Sequence, residues 1–187
     1  MKGRIVFMTE EESMGKTLRE LLPKLFPRCQ EHEHWLILDH GGKSDLETSY
    51  PKKMSAWGEP GVRFIILRDN DGSDCRHLKQ KLVSKVPANS PKYLVRIVCQ
   101  ELESWFIGDL AAISAAYPSA AKHKSFKRLK KADPDKLTNA SDLLKELTGT
   151  SAKRARATEI AKQMHPERNR SKSFKVFVNG VTRFLNK

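Results

Sequence analysis

Short apolar runs alternate with longer amphipathic segments along the first part of the chain. Four runs are apolar, end at polar or turn residues and have the length of strands, at 4–9, 35–38, 64–67 and 93–99. The segments between them space their apolar residues as helices do, for example at Leu18, Leu21 and Leu25. Strands that alternate with helices are typical of βαβ units. The pattern therefore predicts an α/β fold with a mostly parallel four-stranded sheet flanked by helices.

Local signals place the beginnings of several helices. Ser13 is a good N-cap for the first helix, and Ser44 with Glu47 matches a capping box for a second helix that reaches residue 57. Asp109 is expected to cap a helix that ends near residue 117. These signals fit the same alternation of strands and helices.

From about residue 118 the sequence becomes basic and its apolar spacing becomes helical. Helices are expected at 141–147, 151–164 and 173–185. We therefore predict two parts, an α/β domain at 1–117 and a basic helical extension at 118–187 that packs on it.

The composition indicates a polyanionic partner and a reducing compartment. The 187 residues carry a formal net charge of +13, with a pI of about 9.8. Nucleic acid is the first candidate for a partner of so basic a chain, and an acidic protein or plain solubility is the alternative. The three cysteines are widely spaced, which argues against a disulfide framework. No apolar run approaches the roughly 18 residues that span a bilayer, so we expect a cytoplasmic protein without a membrane segment.

Acidic residues follow the third predicted strand. In an open α/β sheet, ligands bind beyond the carboxyl ends of the strands. Asp69 and Asp71 lie two residues apart, so an extended backbone would point both side chains to the same side. Two adjacent carboxylates repel each other unless a proton or cation joins them, and Mg²⁺ or Mn²⁺ is the usual cation for oxygen ligands. The alternative is a turn followed by a helix cap.

Four motifs, taken in their order and spacing, identify a resemblance. They are Glu-Glu-Glu-Ser at 10–13, Asp-Asn-Asp-Gly-Ser-Asp-Cys at 69–75, Glu-Leu-Glu-Ser-Trp-Phe at 101–106 and Asn-Arg-Ser-Lys-Ser-Phe at 169–174. With them the chain resembles the Toprim domain of topoisomerases, primases, RecR-type repair proteins and OLD-type nucleases. More narrowly, it resembles a Toprim-like bacterial family of unassigned function. Glu12 stands where that family typically has proline, so Glu10 matches the Toprim glutamate best and Glu11 is the alternative.

This resemblance implies a Toprim-like (Rossmannoid) fold and a metal-dependent phosphodiester hydrolase that acts on DNA or RNA. It implies that Glu10, Asp69 and Asp71 hold one or two Mg²⁺ or Mn²⁺ ions. It also implies a role in phage defence with a partner ATPase. The alternative is a non-catalytic nucleic-acid-binding or partner-regulated module, because a fold does not determine a function.

Two further groups of residues are candidates for the site. Glu101 and Glu103 follow the fourth strand and could bind a second ion, orient water or act as general base, or could instead complement the dipole of their helix. Six cations are candidates for contacts to phosphate, namely Lys43, Lys124, Lys127, Arg128, Lys130 and Lys131. Their alternative is a solvated surface without a ligand.

Overall fold

The computed structural model of the protein describes residues 3–186, and of Asn186 only the backbone. The strands are β1 (Ile5–Thr9), β2 (Trp35–Asp39), β3 (Arg63–Asp69) and β4 (Tyr93–Val98). The helices are α1 (Glu12–Leu25), α2 (Lys43–Ala56), α3 (Cys75–Ser84), α4 (Glu103–Gly108), α5 (Leu110–Ala116), α6 (Lys124–Leu129), α7 (Ala140–Thr148), α8 (Lys153–Gln163) and α9 (Lys172–Asn186). Short 3-10 turns lie at Pro118–Lys122, Pro134–Lys136 and Pro166–Arg168.

The four strands form one sheet in the order β2-β1-β3-β4. β1 pairs in parallel with both neighbours, so that Thr9 lies opposite Asp39 on one side and Leu67 on the other. All seven residues of β3 are buried, as its continuous apolar run predicts for a strand covered on both faces. The predicted α/β fold, with a four-stranded sheet flanked by helices, is confirmed.

The chain divides into two compact units. The first contains the chain up to Arg68 together with Ser73–Ile97. In it, alternate residues of β1 and β3 share one face of the sheet, because side chains alternate along a strand. Val6 and Met8 of β1 and Phe64 and Ile66 of β3 pack in one apolar cluster with Tyr50 of α2 and with Leu78 and Leu82 of α3.

The second unit contains Asp69–Gly72 and Val98–Lys187 and is helical after the end of β4. Trp105 of α4 is fully buried and lies 5.2 Å from the ring of Phe174 and 5.0 Å from that of Phe177, both in α9. Its indole Nε1 donates to Ser173 Oγ at 2.9 Å. The predicted boundary between residues 117 and 118 lies inside this unit, and as a domain boundary it stays a prediction. No helix within residues 3–186 is long and apolar enough to cross a membrane.

Two of the three predicted helix starts differ from the structure. α1 begins two residues earlier than a Ser13 cap would give, with Glu11 as N-cap. The capping box predicted for α2 is wrong, because Gly42 is the N-cap and no side chain caps this helix. Gly42 has a φ of 116°, a conformation that glycine adopts without the steric cost of a Cβ. The Asp109 cap is confirmed, since its Oδ1 accepts from the backbone N of Ala112 at 3.2 Å.

Candidate functional site

The aspartate segment is held by the backbone at the end of β4 and directly after it. Asp69 ends β3 and is 6% exposed, and Asn70 is 4% exposed. The backbone N of Asn70 donates to Val98 O at 3.0 Å, and that of Asp71 donates to Gln100 O at 3.2 Å. The backbone N of Gln100 donates in return to Asn70 Oδ1. These bonds fix the turn that carries both aspartates.

Asp71 does not continue the strand. Its φ is 47°, in the left-handed region, and that of its neighbour Gln100 is 64°. The extended geometry predicted for residues 69–71 is therefore wrong, since Asp69 is buried in the strand whereas Asp71 is exposed in the turn. Left-handed residues other than glycine are uncommon and cluster at ligand sites and active sites. Two such residues, Asp71 and Gln100, are hydrogen-bonded to each other here.

The three consecutive glutamates have different local surroundings. Glu10 directly follows β1 and is half-buried, and its carbonyl accepts from the backbone N of Gly42 at 2.9 Å. Glu11 is the N-cap residue of α1, and its Oε1 accepts from Ser13 Oγ at 2.5 Å. The Oε1 of Glu12 lies 3.4 Å from the ammonium of Lys16, one helical turn away. Glu11 and Glu12 therefore have side-chain contacts that serve the first turn of α1.

His40, which the sequence did not indicate as a site residue, lies where β2 ends. It is 6% exposed, its Nδ1 is 2.8 Å from Thr9 O, and its Nε2 is 2.8 Å from the ammonium of Lys53. Burial lowers the pKa of His40, the positive charge of Lys53 lowers it further, and the hydrogen bond to Thr9 opposes both. The neighbours assign a neutral imidazole that donates from Nδ1 and accepts from Lys53. The one sequence signal was a histidine directly after a strand.

Glu101 and Glu103 contact the C-terminal helices of their own unit. Glu101 Oε2 accepts from the backbone N of Ser141 at 2.8 Å, in the first turn of α7. Glu103 is 1% exposed, and its Oε1 lies 3.4 Å from Nη2 of Arg156 in α8 and 3.5 Å from Ser141 Oγ. These contacts give both glutamates a structural role. Their participation in chemistry stays a prediction.

The predicted phosphate-binding cations are exposed. Five lie in α6 or directly after it, namely Lys124, Lys127, Arg128, Lys130 and Lys131, and Lys43 is the first residue of α2. The ammonium of Lys130 lies 5.9 Å from the centre of the Phe126 ring. Residues 118–187 contain 18 of the 35 Lys and Arg residues but six of the 22 Asp and Glu residues, a net charge of +12 out of the chain's +13. The positive charge of the protein is thus concentrated in its C-terminal helical part.

A divalent ion at these acidic residues would have few ligands from the protein. Within residues 3–186, the structure brings together no group of three or more His, Cys, Asp or Glu side chains that could hold a metal ion. Mg²⁺ usually keeps several waters and takes one or two carboxylates together with phosphate oxygens of the substrate. Glu10, Asp69 and Asp71, at the ends of β1 and β3, carry carboxylate oxygens, which are the protein ligands that such a site uses.

The fold is similar to that of two solved bacterial protein regions. The C-terminal region of the OLD protein from Burkholderia pseudomallei is 14% identical, with a TM-score of 0.64, over 99% of this chain and 100% of that one. The corresponding region from Xanthomonas campestris pv. campestris is 12% identical, with a TM-score of 0.60, over 98% of this chain and 96% of that one. At these identities the likeness is one of fold.

The family assignment comes from the sequence. No curated protein matches the chain. The family model described as "Domain of unknown function (DUF4276)" matches residues 9–182, which is most of the chain and includes Glu10, the aspartate turn, Glu101 and Glu103, and the basic residues of α6. The chain therefore belongs to the DUF4276 family.

Proposed function

We propose that the protein is a metal-dependent phosphodiester hydrolase, a Toprim-like nuclease, that acts on DNA or RNA. The observation that carries this proposal is the position of Asp69, a buried carboxylate at the carboxyl end of the fully buried strand β3. Ligands of open α/β sheets bind beyond this end of the strands. The similarity in fold to the OLD C-terminal regions supports the proposal by analogy.

The candidate ligands of a Mg²⁺ or Mn²⁺ ion are Glu10, Asp69 and Asp71, of which one or two would contact the ion at a time. Glu10 and Asp69 follow or end β1 and β3, which are neighbouring strands of the sheet. The helix-start contacts of Glu11 favour Glu10 as the glutamate of the set. Water and substrate phosphate would fill the remaining positions, as Mg²⁺ prefers. The left-handed turn at Asp71 and Gln100 is the kind of strained backbone that functional sites maintain.

The protein's own residues would bind and orient the nucleic acid. When bound, a divalent ion supplies the polarisation of a phosphoryl oxygen and lowers the pKa of a water molecule. The exposed cations of α6 would hold the phosphate backbone. Lys53, fixed by His40 beside the end of β1, would add positive charge near Glu10. A partner ATPase and a role in phage defence belong to the same proposal and are supported by the family resemblance alone.

The test compares two isosteric substitutions, at the last residue of β3 and at the N-cap of α3. Asp69→Asn removes the proposed ligand, whereas Asp74→Asn keeps the cap of α3, because Asp74 Oδ1 accepts from the backbone N of His77 at 2.7 Å and asparagine caps as well. Single- and double-stranded DNA and RNA are incubated with each protein in Mg²⁺ or Mn²⁺. We expect Asp69→Asn to lose cleavage by 100-fold or more and Asp74→Asn to keep it. A wild-type protein that neither cleaves nor binds Mn²⁺ in the presence of phosphorothioate DNA would contradict the proposal.

A second candidate is a nucleic-acid-binding module without catalysis. The observation that favours it is the net charge of +12 in residues 118–187, which attracts a polyanion whether or not a metal is bound. Tight binding by both wild type and Asp69→Asn, with no cleavage by either, would support this alternative.

A further inference from the structure

Arg170 lies in the short connection between the turn Pro166–Arg168 and α9, and its guanidinium binds backbone carbonyls. Nη1 donates to Lys130 O at 2.8 Å and to Ala132 O at 3.2 Å. Nη2 donates to Leu129 O at 2.9 Å and lies 3.5 Å from Ile107 O. The last carbonyls of a helix have no partner within it, and a cation there also complements the helix dipole. Arg170 therefore acts as a C-terminal cap for α6 from a distant part of the chain.

The position of Arg170 is itself fixed by its neighbours. Its backbone N donates to Gly108 O at 2.9 Å. The side-chain amide of Asn169 donates to Trp105 O at 2.8 Å and accepts from the backbone N of Ser171 at 2.9 Å. A Cβ on Gly108 would come within 2.2 Å of Asn169 Oδ1, so the two segments pack at backbone distance. The guanidinium is thus presented to α6 from a closely packed, hydrogen-bonded backbone.

The helix that Arg170 caps, and the two residues after it, carry exposed positive charge. We name the side chains of Lys124, Lys127, Arg128, Lys130 and Lys131 the basic surface. We propose that the basic surface is a preformed binding site for the sugar–phosphate backbone of nucleic acid, and that Arg170 is the positioning residue that keeps it in shape. The inference rests on the proposed function in taking nucleic acid as the ligand. A surface that is already ordered before nucleic acid binds should bind more tightly. Each mobile side chain that binding immobilises costs about 0.5–1.5 kcal/mol of binding free energy.

The shape of the basic surface favours phosphates over bases. α6 has six residues and is therefore about 9 Å long, which is short for a helix that reads a groove. Four of the five cations are lysines, which bind phosphate as point charges rather than in the two-pronged geometry that recognises guanine. Binding at such a surface should depend little on base sequence and strongly on salt.

The experiment measures binding without catalysis. A labelled 20-base-pair DNA duplex of mixed sequence is titrated in EDTA at several salt concentrations between 50 and 200 mM. Lys127→Gln removes one proposed contact, so the slope of log K against log salt should fall by about one. Arg170→Gln removes the cap of α6 and should disorder the basic surface, so that several contacts to phosphate are lost. The slope should then fall by more than one and the affinity by about tenfold or more. Lys172→Gln is the matched control, with the same loss of charge on an exposed residue two positions away, and should stay within about twofold of wild type.

The two variants test two different parts of the proposal. Equal effects of Arg170→Gln and Lys172→Gln would overturn the positioning role, and an unchanged slope for Lys127→Gln would overturn the basic surface as the interface. Because no metal is present, neither result bears on the assay of Asp69→Asn, which tests the proposed nuclease. Hydrogen exchange of the amides of Lys130 and Lys131, which both donate to Arg128 O, keeps the test decisive in the unsubstituted protein if Arg170→Gln fails to fold. Protection before DNA is added is expected, and protection that arises only with DNA would contradict a preformed site.

Discussion

The guanidinium of Arg156 and the carboxylate of Glu103 form a buried ion pair between α8 and α4. Nη2 lies 3.4 Å from Oε1, and the two side chains are 3% and 2% exposed. Arg156 Nη1 also donates to Thr150 O at 2.8 Å. Two charges removed from water gain little over an apolar pair of the same size, but either one left alone in the interior is strongly unfavourable. The pair therefore specifies how α4 and α8 pack more than it adds free energy.

Arg156→Met should destabilise the protein by about 3–5 kcal/mol, because it leaves the Glu103 carboxylate buried without its strongest partner. The double variant Arg156→Met with Glu103→Gln removes both charges and should recover part of that loss. The free energy of unfolding in urea measures both effects. An Arg156→Met protein as stable as wild type would show that the ion pair is not formed in solution.

Gly15→Ala should destabilise the protein by about 2–4 kcal/mol. A Cβ at Gly15 would lie 1.7 Å from Oδ1 of Asp39, so the carboxylate would have to move away from Arg19, which it meets at 3.0 Å, and from Thr9 Oγ1 at 2.7 Å. Thermal unfolding measures the loss. Gly58→Ala is the control, because a Cβ there meets nothing within 4 Å, and its stability should match wild type or slightly exceed it.

The pair of Glu59 and Arg4 should produce acid-dependent stability. Hydrogen bonds from Arg4, with Nη2 at 2.7 Å, lower the pKa of the Glu59 carboxyl from its ordinary value of 4.5 to about 2. A carboxyl with a lowered pKa contributes stability that is complete above its unfolded pKa and disappears as pH falls through the folded value. The difference in unfolding free energy between wild type and Glu59→Gln should thus be constant above pH 4.5 and shrink towards pH 2. A difference that does not change with pH would contradict the pairing.

His40 should lower stability in mildly acidic solution. Burial lowers the pKa of its imidazole below the ordinary value of 6.5, so the unfolded chain binds a proton that the folded protein excludes. The free energy of unfolding should therefore decrease as pH falls below about 6.5 and level off once the folded imidazole is protonated. His40→Gln should remove this decrease, whereas the exposed His165→Gln should keep it. Urea unfolding at a series of pH values checks both variants.

The strands were predictable because their signal is local. Each apolar run ends at polar or turn residues, and the predicted bounds of β1, β2 and β4 agree with the observed ones within one residue. A helix at α4 was expected only as the alternative role of Glu101 and Glu103, because all six of its residues are buried and it has no polar face and no helical period. α6 was missed because its apolar residues, Phe126 and Leu129, lie inside a dense run of lysine and arginine.

The chemistry of the candidate site was partly predictable. Acidic residues after strands are visible in the sequence, and so is the basic character of the C-terminal part. The contacts that define their surroundings are tertiary, as with His40 and Lys53, 13 residues apart, and Glu103 and Arg156, 53 residues apart. A turn at Asp71 was the alternative that the sequence offered, but its hydrogen bond to Gln100 O is tertiary and no local pattern around Asp71 contains it.

The path of the chain has a consequence for dissecting the protein. Residues 69–72 belong to the second unit, although the chain on both sides of them belongs to the first. A fragment truncated at residue 97 would retain both aspartates but would lack Val98 and Gln100, whose carbonyls anchor their turn. A fragment intended to preserve the acidic turn must therefore continue at least through Gln100.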